Sequence, residues 1–269
     1  MATESRGSLT AIGETVPHVL PPKTLSSSTL GEMTTTESRE RERDLRTFRA
    51  GLPPKFRNKH FADFDPNPDR KALTLARRFA AACNGWFEAG RPDHAGPMLF
   101  LTSERQGEVI APGNGKSLLA ACVLTWLAEN GRLRIYEHER TGERWPNLVF
   151  VTSVDLISEV RSTYGNRDGR TPDEVVGKYL AADVLVLDDI GTEPSGEDAT
   201  VRMFQVLDKR RRPTIFTSNY SLDHLRQKSP EWAKHVSRIR EKMIGAVLTG
   251  PDRREPESDP WAEWLPRKG

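Results

Sequence analysis

Apolar residues along this chain follow two spacings. Short unbroken runs at Met98 to Leu101, Leu148 to Val151 and Val184 to Leu187 show no alternation, and Pro213 to Asn219, with Ile215-Phe216 at its centre, reads as a further buried strand. That is the pattern of strands buried on both faces of a parallel sheet. Between them lie stretches of helical period. Leu73, Leu75, Ala76, Phe79, Ala80 and Cys83 form one stripe within 73–87. Ser117 to Glu129 reads as a helix stopped by Asn130-Gly131. Ser153 is placed to N-cap a helix through Val160, and Pro172 to open another. Ala199 to Lys209 and Trp232 to Met243 complete the helices, and Ala246 to Leu248 is the last strand. Strands alternating with helices predict an α/β fold: a five-stranded parallel sheet with helices on both faces.

Polar segments fall outside this alternation. The charged stretch Arg132 to Pro146, with Thr141-Gly142 as a turn, reads as an extra hairpin before the strand at Leu148. Residues 1 to about 37 are rich in Ser, Thr, Pro and Gly and are expected to be disordered, since they bury too little apolar surface to offset ordering entropy. Ser38 to Arg49 alternates in charge. It reads either as a solvated linker or as a short helix that offers Leu45 and Phe48 to a partner. The division expected is a tail over 1–50, a domain over 51–254 and a short tail over 255–269. That last tail leaves no room for a C-terminal lid.

The chemistry starts at Ala111-Pro112-Gly113-Asn114-Gly115-Lys116-Ser117. A strand precedes it and a helix follows, the context of a phosphate-binding loop. Gly113 and Gly115 let the backbone curl so that its amides meet anionic oxygens. Lys116 would reach the β- and γ-phosphates and Ser117 a Mg²⁺ ion. The full pattern asks for glycine five residues before Gly115, and Ile110 stands there. Either the loop is a degraded copy, or residues 104–110 are an insertion that pairs back on the strand. We favour the insertion, with Glu104 to Gly107 as a turn. A glycine turn before an ordinary helix is the plain alternative.

About 70 residues on, Val184-Leu185-Val186-Leu187 ends in Asp188-Asp189. Carboxylates at the C-terminal edge of a buried parallel strand lie where such sheets bind ligands. Asp188 would hold Mg²⁺ through water and Asp189 polarise the attacking water. Pro213 to Asn219 is a further buried strand ending in small polar residues, and its Asn219 could hold that water. The order of lysine loop, acids and Ser-Asn resembles that of AAA+ ATPases.

These motifs carry a resemblance. V-L-V-L-D-D-I-G-T-E at 184–193, R-R-P-T-I-F-T-S-N-Y-S-L-D-H-L at 211–225 and F-R-N-K-H-F-A-D-F-D at 56–65 resemble segments of DnaC/DnaI-type helicase loaders and IstB-type transposition helpers. The likeness runs from about Gly51 to about Arg254. It implies an AAA+ ATPase using ATP and Mg²⁺ that loads a replicative helicase onto single-stranded DNA, or one that assists a transposase. A small-molecule kinase and a nucleotide-binding adaptor without hydrolysis are the readings from other classes. The resemblance further implies a homo-oligomer whose active site is completed in trans by Arg240, with Arg238 as the second choice. It sets Phe61 or Phe64 against the nucleotide base, where plain core packing is the alternative. Arg161, Tyr164, Arg167 and Arg170, in a polar basic loop, are candidate contacts to single-stranded DNA. The alternative there is a solvated surface loop. Lys209-Arg210-Arg211-Arg212 is either a solvated helix end or a phosphate-contact patch.

Composition narrows the classes. The 269 residues carry a net charge of only +2, so nucleic-acid binding must rest on a local patch. Cys83 and Cys122 lack metal-ligand spacing, which speaks against zinc and for a reducing compartment. No apolar run approaches the ~20 residues that span a bilayer. The expectation is a cytoplasmic protein with no membrane partner.

Overall fold

The computed structural model describes residues 35–90, 95–105, 108–109, 112–137, 140–165, 169–193, 197–241 and 243–254. The chain falls into two units, Met1–Arg39 and Glu40–Gly269. Of the first, residues 35–39 are described and are helical. The low-complexity stretch before them and the tail at 255–269 lie outside the described residues.

Five strands form a parallel sheet: β1 (Met98–Thr102), β6 (Leu148–Thr152), β7 (Val184–Asp188), β8 (Thr214–Ser218) and β9 (Met243–Val247), in the order β6-β7-β8-β1-β9. Strand period puts alternate side chains on opposite faces. Leu99, Leu101, Val184, Val186 and Ile215 join α2 (Arg70–Glu88) and α3 (Lys116–Asn130) in one apolar layer. Met98, Phe100, Leu185, Leu187 and Phe216 join α4 (Ser153–Ser162), α5 (Pro172–Ala181), α6 (Glu197–Lys209) and α8 (Pro230–Arg240) in the other. The expected five-stranded α/β architecture with helices on both faces is the one observed. α1 (Thr35–Arg49) precedes the sheet, and a short α7 (Leu222–Lys228) precedes α8.

Details of the sequence reading need correction. Ser153 does not cap α4. Thr152 does, its hydroxyl accepting from the Asp155 amide, which leaves Ser153 as the first helical residue. The hairpin before β6 forms from β4 (Leu133–Glu137) and β5 (Arg140–Arg144), and Gly142 pairs with Ile135 inside the ladder. Thr141-Gly142, the expected turn, is therefore strand, and residues 138–139 lie outside the described residues. The insertion pairs within itself. β2 (Glu104–Arg105) lies antiparallel to β3 (Glu108–Val109) in a separate two-stranded sheet, so Glu104-Arg105 is strand rather than turn. The final helix ends at Arg240 rather than Met243, and Met243 opens the edge strand β9 in register with Met98.

The basic run after α6 is not simply solvated. Arg210 is 2% exposed. Its guanidinium donates to Thr214 Oγ1 at 2.7 Å and to the carbonyls of Tyr179 at 2.8 Å, Leu180 at 3.2 Å and Pro213 at 2.9 Å. Burial lowers its pKa, and these acceptors supply the partners a buried cation requires. Arg210 therefore ties the end of α6 to α5 and to β8, and is closed to phosphate. Lys209 and Arg211 stay exposed.

Candidate nucleotide site

The phosphate loop follows β1 and the β2–β3 hairpin. Gly113 and Gly115 have φ of +83° and +100°, in the left-handed region that favours glycine. Side-chain room is also tight at both positions. A Cβ on Gly113 would lie 1.8 Å from Asp252 Oδ1, and one on Gly115 would lie 3.1 Å from Phe64 Cε2. Gly115 caps α3, so the loop amides join the N-terminus of a 15-residue helix, where anions are favoured. Pro112 to Ser117 are all described, whereas Ile110 and Ala111 lie outside the described residues.

Lys116, the first residue of α3, is 4% exposed. Its ammonium donates to Ser103 Oγ, to Asn114 Oδ1 at 3.2 Å and to Asn219 Oδ1 at 3.0 Å. Burial lowers its pKa, and the carboxylates of Asp189 and Asp188 oppose that shift. The lysine of the loop, the acids ending β7 and the asparagine after β8 thus meet at one edge of the sheet.

Asp188 ends β7 almost fully buried. It accepts from Thr217 Oγ1 at 2.6 Å and shares a hydrogen bond with the Ser117 hydroxyl. Ser117 and Asp188 are therefore one hydrogen bond apart, a donor pair that suits Mg²⁺. Among the described residues no group of three or more His, Cys, Asp or Glu could hold a metal by itself. The ion would thus share its ligands with phosphate and water. Asp189 has φ +55°, uncommon outside glycine. Three hydrogen bonds hold it there: its N–H donates to Thr217 Oγ1 at 2.9 Å, and its carbonyl accepts from Ser153 at 2.9 Å and Thr192 at 2.7 Å. A short polar side chain such as Asp tolerates this region better than most residues do.

Burial, then the neighbouring Asp189 charge, pushes the Asp188 pKa from 3.8 up to about 6. The native state therefore holds this proton to higher pH than the unfolded chain does. The associated stability is present below about pH 4 and is lost as pH rises through about 6, ~3 kcal/mol in all. Nucleotide-free Asp188→Asn protein should therefore be the more stable of the two at pH 7.5 in urea unfolding. The difference should vanish near pH 4. A variant less stable than wild type at pH 7.5 would show that the carboxylate is not a net cost.

Sequence reasoning missed several contributors. Ser103, at the end of β1, carries no motif. Thr217, inside β8, holds both acids. The segment after β9 runs back across the loop: Leu248 accepts from Asn114 Nδ2 at 2.7 Å, and Arg253 N donates to Gly113 O at 3.1 Å. The Arg253 guanidinium spans Asn114 O at 3.1 Å and Asp65 O at 2.8 Å, and lies 4.7 Å over the Phe64 ring. Phe64 is buried under Gly115, whereas Phe61 is only half-buried beneath Arg77. The charged sequence P-D-R-R at 251–254 was the available signal.

Other predicted residues stand apart. Arg240 ends α8, exposed, with its guanidinium 2.6 Å from Asp223 Oδ1. The side chain of Arg238 lies outside the described residues. Arg161 is in the last turn of α4, and Tyr164 follows in a 3₁₀ turn, 48% exposed. Arg170 pairs with Glu159 at 3.0 Å, and Arg167 lies outside the described residues. The thiols of Cys83 and Cys122 are buried and free.

Residues 111–234 match the family model described as IstB-like ATP binding protein. Over 197 residues, 71% of this chain and 67% of the relative, the sequence is 25% identical to the replicative helicase loader DnaC of Buchnera aphidicola subsp. Schizaphis graminum. Against the replicative helicase loader DnaC of Escherichia coli K12 it is 24% identical over 186 residues, 67% of this chain and 63% of that one. The chain thus spans about two thirds of the length of these curated relatives. Among solved structures, the crystal structure of DnaI superposes with a TM-score of 0.51 at 21% identity, covering 76% of this chain and 94% of that one. The crystal structure of the DnaC helicase loader gives 0.50 at 20% identity, with coverages of 73% and 99%. At these identities the two structures speak to the fold alone, a parallel-sheet α/β core.

Proposed function

We propose, on the premise that this chain is similar to the DnaC/IstB-type AAA+ proteins, that it binds and hydrolyses ATP with Mg²⁺ and loads a replicative helicase onto single-stranded DNA in the cytoplasm. The observation that carries the ATPase reading is the buried Lys116 ammonium. It lies between the phosphate loop and Asn219, with Asp188 and Asp189 beside it. Phosphoryl transfer to water asks for positioning and electrostatics more than covalent chemistry. Lys116 and the loop amides would hold the β- and γ-phosphates. Ser117 and Asp188 would hold Mg²⁺, which neutralises phosphate charge. Asp189 would polarise the attacking water, with Asn219 aligning it. Arg240 would reach the γ-phosphate of a neighbouring subunit in a homo-oligomer. Arg161 and Tyr164, exposed near the end of α4, and Arg170 would contact single-stranded DNA, together with Arg167, which lies outside the described residues.

Asp189→Asn separates chemistry from binding. General-base or water-orienting groups contribute ~10²–10⁴-fold in rate. Turnover should fall by at least about 100-fold while calorimetric ATP affinity stays within about threefold, the mark of an interaction made mainly in the transition state. Equal losses of affinity and turnover would instead put Asp189 in binding. A transposition helper is the second reading, favoured by the description of the family model that matches 111–234. Capturing the partner from the host decides between them: a hexameric helicase supports loading, and a transposase supports the helper.

A further inference from the structure

A lysine ammonium has three N–H donors. In this protein all of them are engaged, by Ser103, Asn114 and Asn219. The three acceptors differ in setting. Ser103 and Asn114 are 0% exposed, whereas Asn219 is half-buried at the mouth of the site. An incoming phosphate can therefore displace Asn219 most readily.

Asn114 is itself fixed from several sides. Its Oδ1 accepts from Lys116 and from Ser103 Oγ at 3.3 Å, and its Nδ2 donates to Leu248 O at 2.7 Å. Its backbone carbonyl accepts from Arg253 at 3.1 Å. The amide cannot turn over without setting its NH₂ against the ammonium and its oxygen against a carbonyl. A buried network of this kind holds one geometry because every alternative leaves a polar group unpaired.

We propose that Asn114 is a positioning residue for Lys116: with Ser103 it holds the ammonium on the floor of the loop, so that phosphate exchanges with Asn219 alone. The side chain of Asn114 then acts through Lys116 and not on the nucleotide. Binding of phosphate also releases the Asn219 amide to align water, so the water-aligning group becomes free only when a nucleotide is in place. This rests on the ATPase reading of the site.

A double-mutant cycle on the full chain tests it, read as ATP affinity from a fluorescent ATP analogue titrated to millimolar concentration. Asn114→Ala should weaken binding by roughly tenfold, as expected for loss of a hydrogen bond to a charged group. In a Lys116→Ala background the same change should alter affinity by less than about twofold, because residues acting through one another are non-additive. A similar tenfold loss in both backgrounds would overturn the proposal, since a general weakening of the loop acts whether or not the lysine is present. If Asn114→Ala fails to fold, Ser103→Ala removes the other buried acceptor and carries the same cycle, with additivity again the overturning result. Failure of the ATPase reading looks different: wild type would bind no ATP, or Lys116→Ala alone would cost nothing.

Discussion

Arg240→Ala protein is expected to bind ATP as wild type does and to hydrolyse it about 10³-fold or more slowly, as when a trans-acting arginine is lost. Mixed with Lys116→Ala protein, it should recover a measurable part of that rate. Arg240 ends α8, exposed, and its charge is met by Asp223 within the same chain. An exposed pair of this kind holds its partners only weakly. The guanidinium can therefore leave Asp223 for a γ-phosphate presented by a neighbour, where developing negative charge in a drier setting favours it more. The mixture pairs an intact pocket lacking its arginine with an intact arginine beside an empty pocket, so recovery requires contact between subunits. Should both variants assemble yet remain inactive together, Arg240 is not the trans residue and Arg238 is the next to change.

Lys116→Ala should weaken ATP binding by at least about 100-fold, because the buried ammonium makes a charge-assisted contact to the phosphates. Stability gives a second readout. A ligand at 100 times its Kd adds ~2.7 kcal/mol to a protein that binds it only when folded. ATP at about 100 times the wild-type Kd should therefore raise the melting temperature of wild type far more than that of the variant. Without nucleotide the variant should unfold close to wild type, since Lys116 is already a desolvated cation with a lowered pKa. A variant whose melting temperature rises with ATP as much as that of wild type would remove Lys116 from phosphate binding.

The constellation was legible because its chemistry depends on contiguous residues. Gly115-Lys116-Ser117 must open a helix, and Asp188-Asp189 must close a buried strand, so local pattern and tertiary position coincide. What escaped depends on long-range contacts. Arg210 looks like any basic residue at a helix end, and only the carbonyls of Tyr179, Leu180 and Pro213 show it to be structural. Ser103 is one serine among many until Lys116 reaches it. Thr152 and Ser153 can both cap a helix, and the choice follows from Ser153 being drawn to the Asp189 carbonyl. β9 misled for another reason. It is an edge strand whose Ile244 is 55% exposed, so its apolar residues do not follow burial.

The strap after β9 gives the pocket a place in time. Leu248 meets Asn114 across 134 positions, Thr249 meets Asp69 across 180, and Arg253 meets Asp65 across 188. Contacts of such separation close last, because the entropy of the intervening chain must be lost first. A chain made from its N-terminus has the lysine and the acids in hand long before residues 248–254 exist. During synthesis the phosphate loop would lack the carbonyl that fixes Asn114 and the arginine that spans to Asp65. Closure of the phosphate loop therefore waits on the synthesis of residues 248–254.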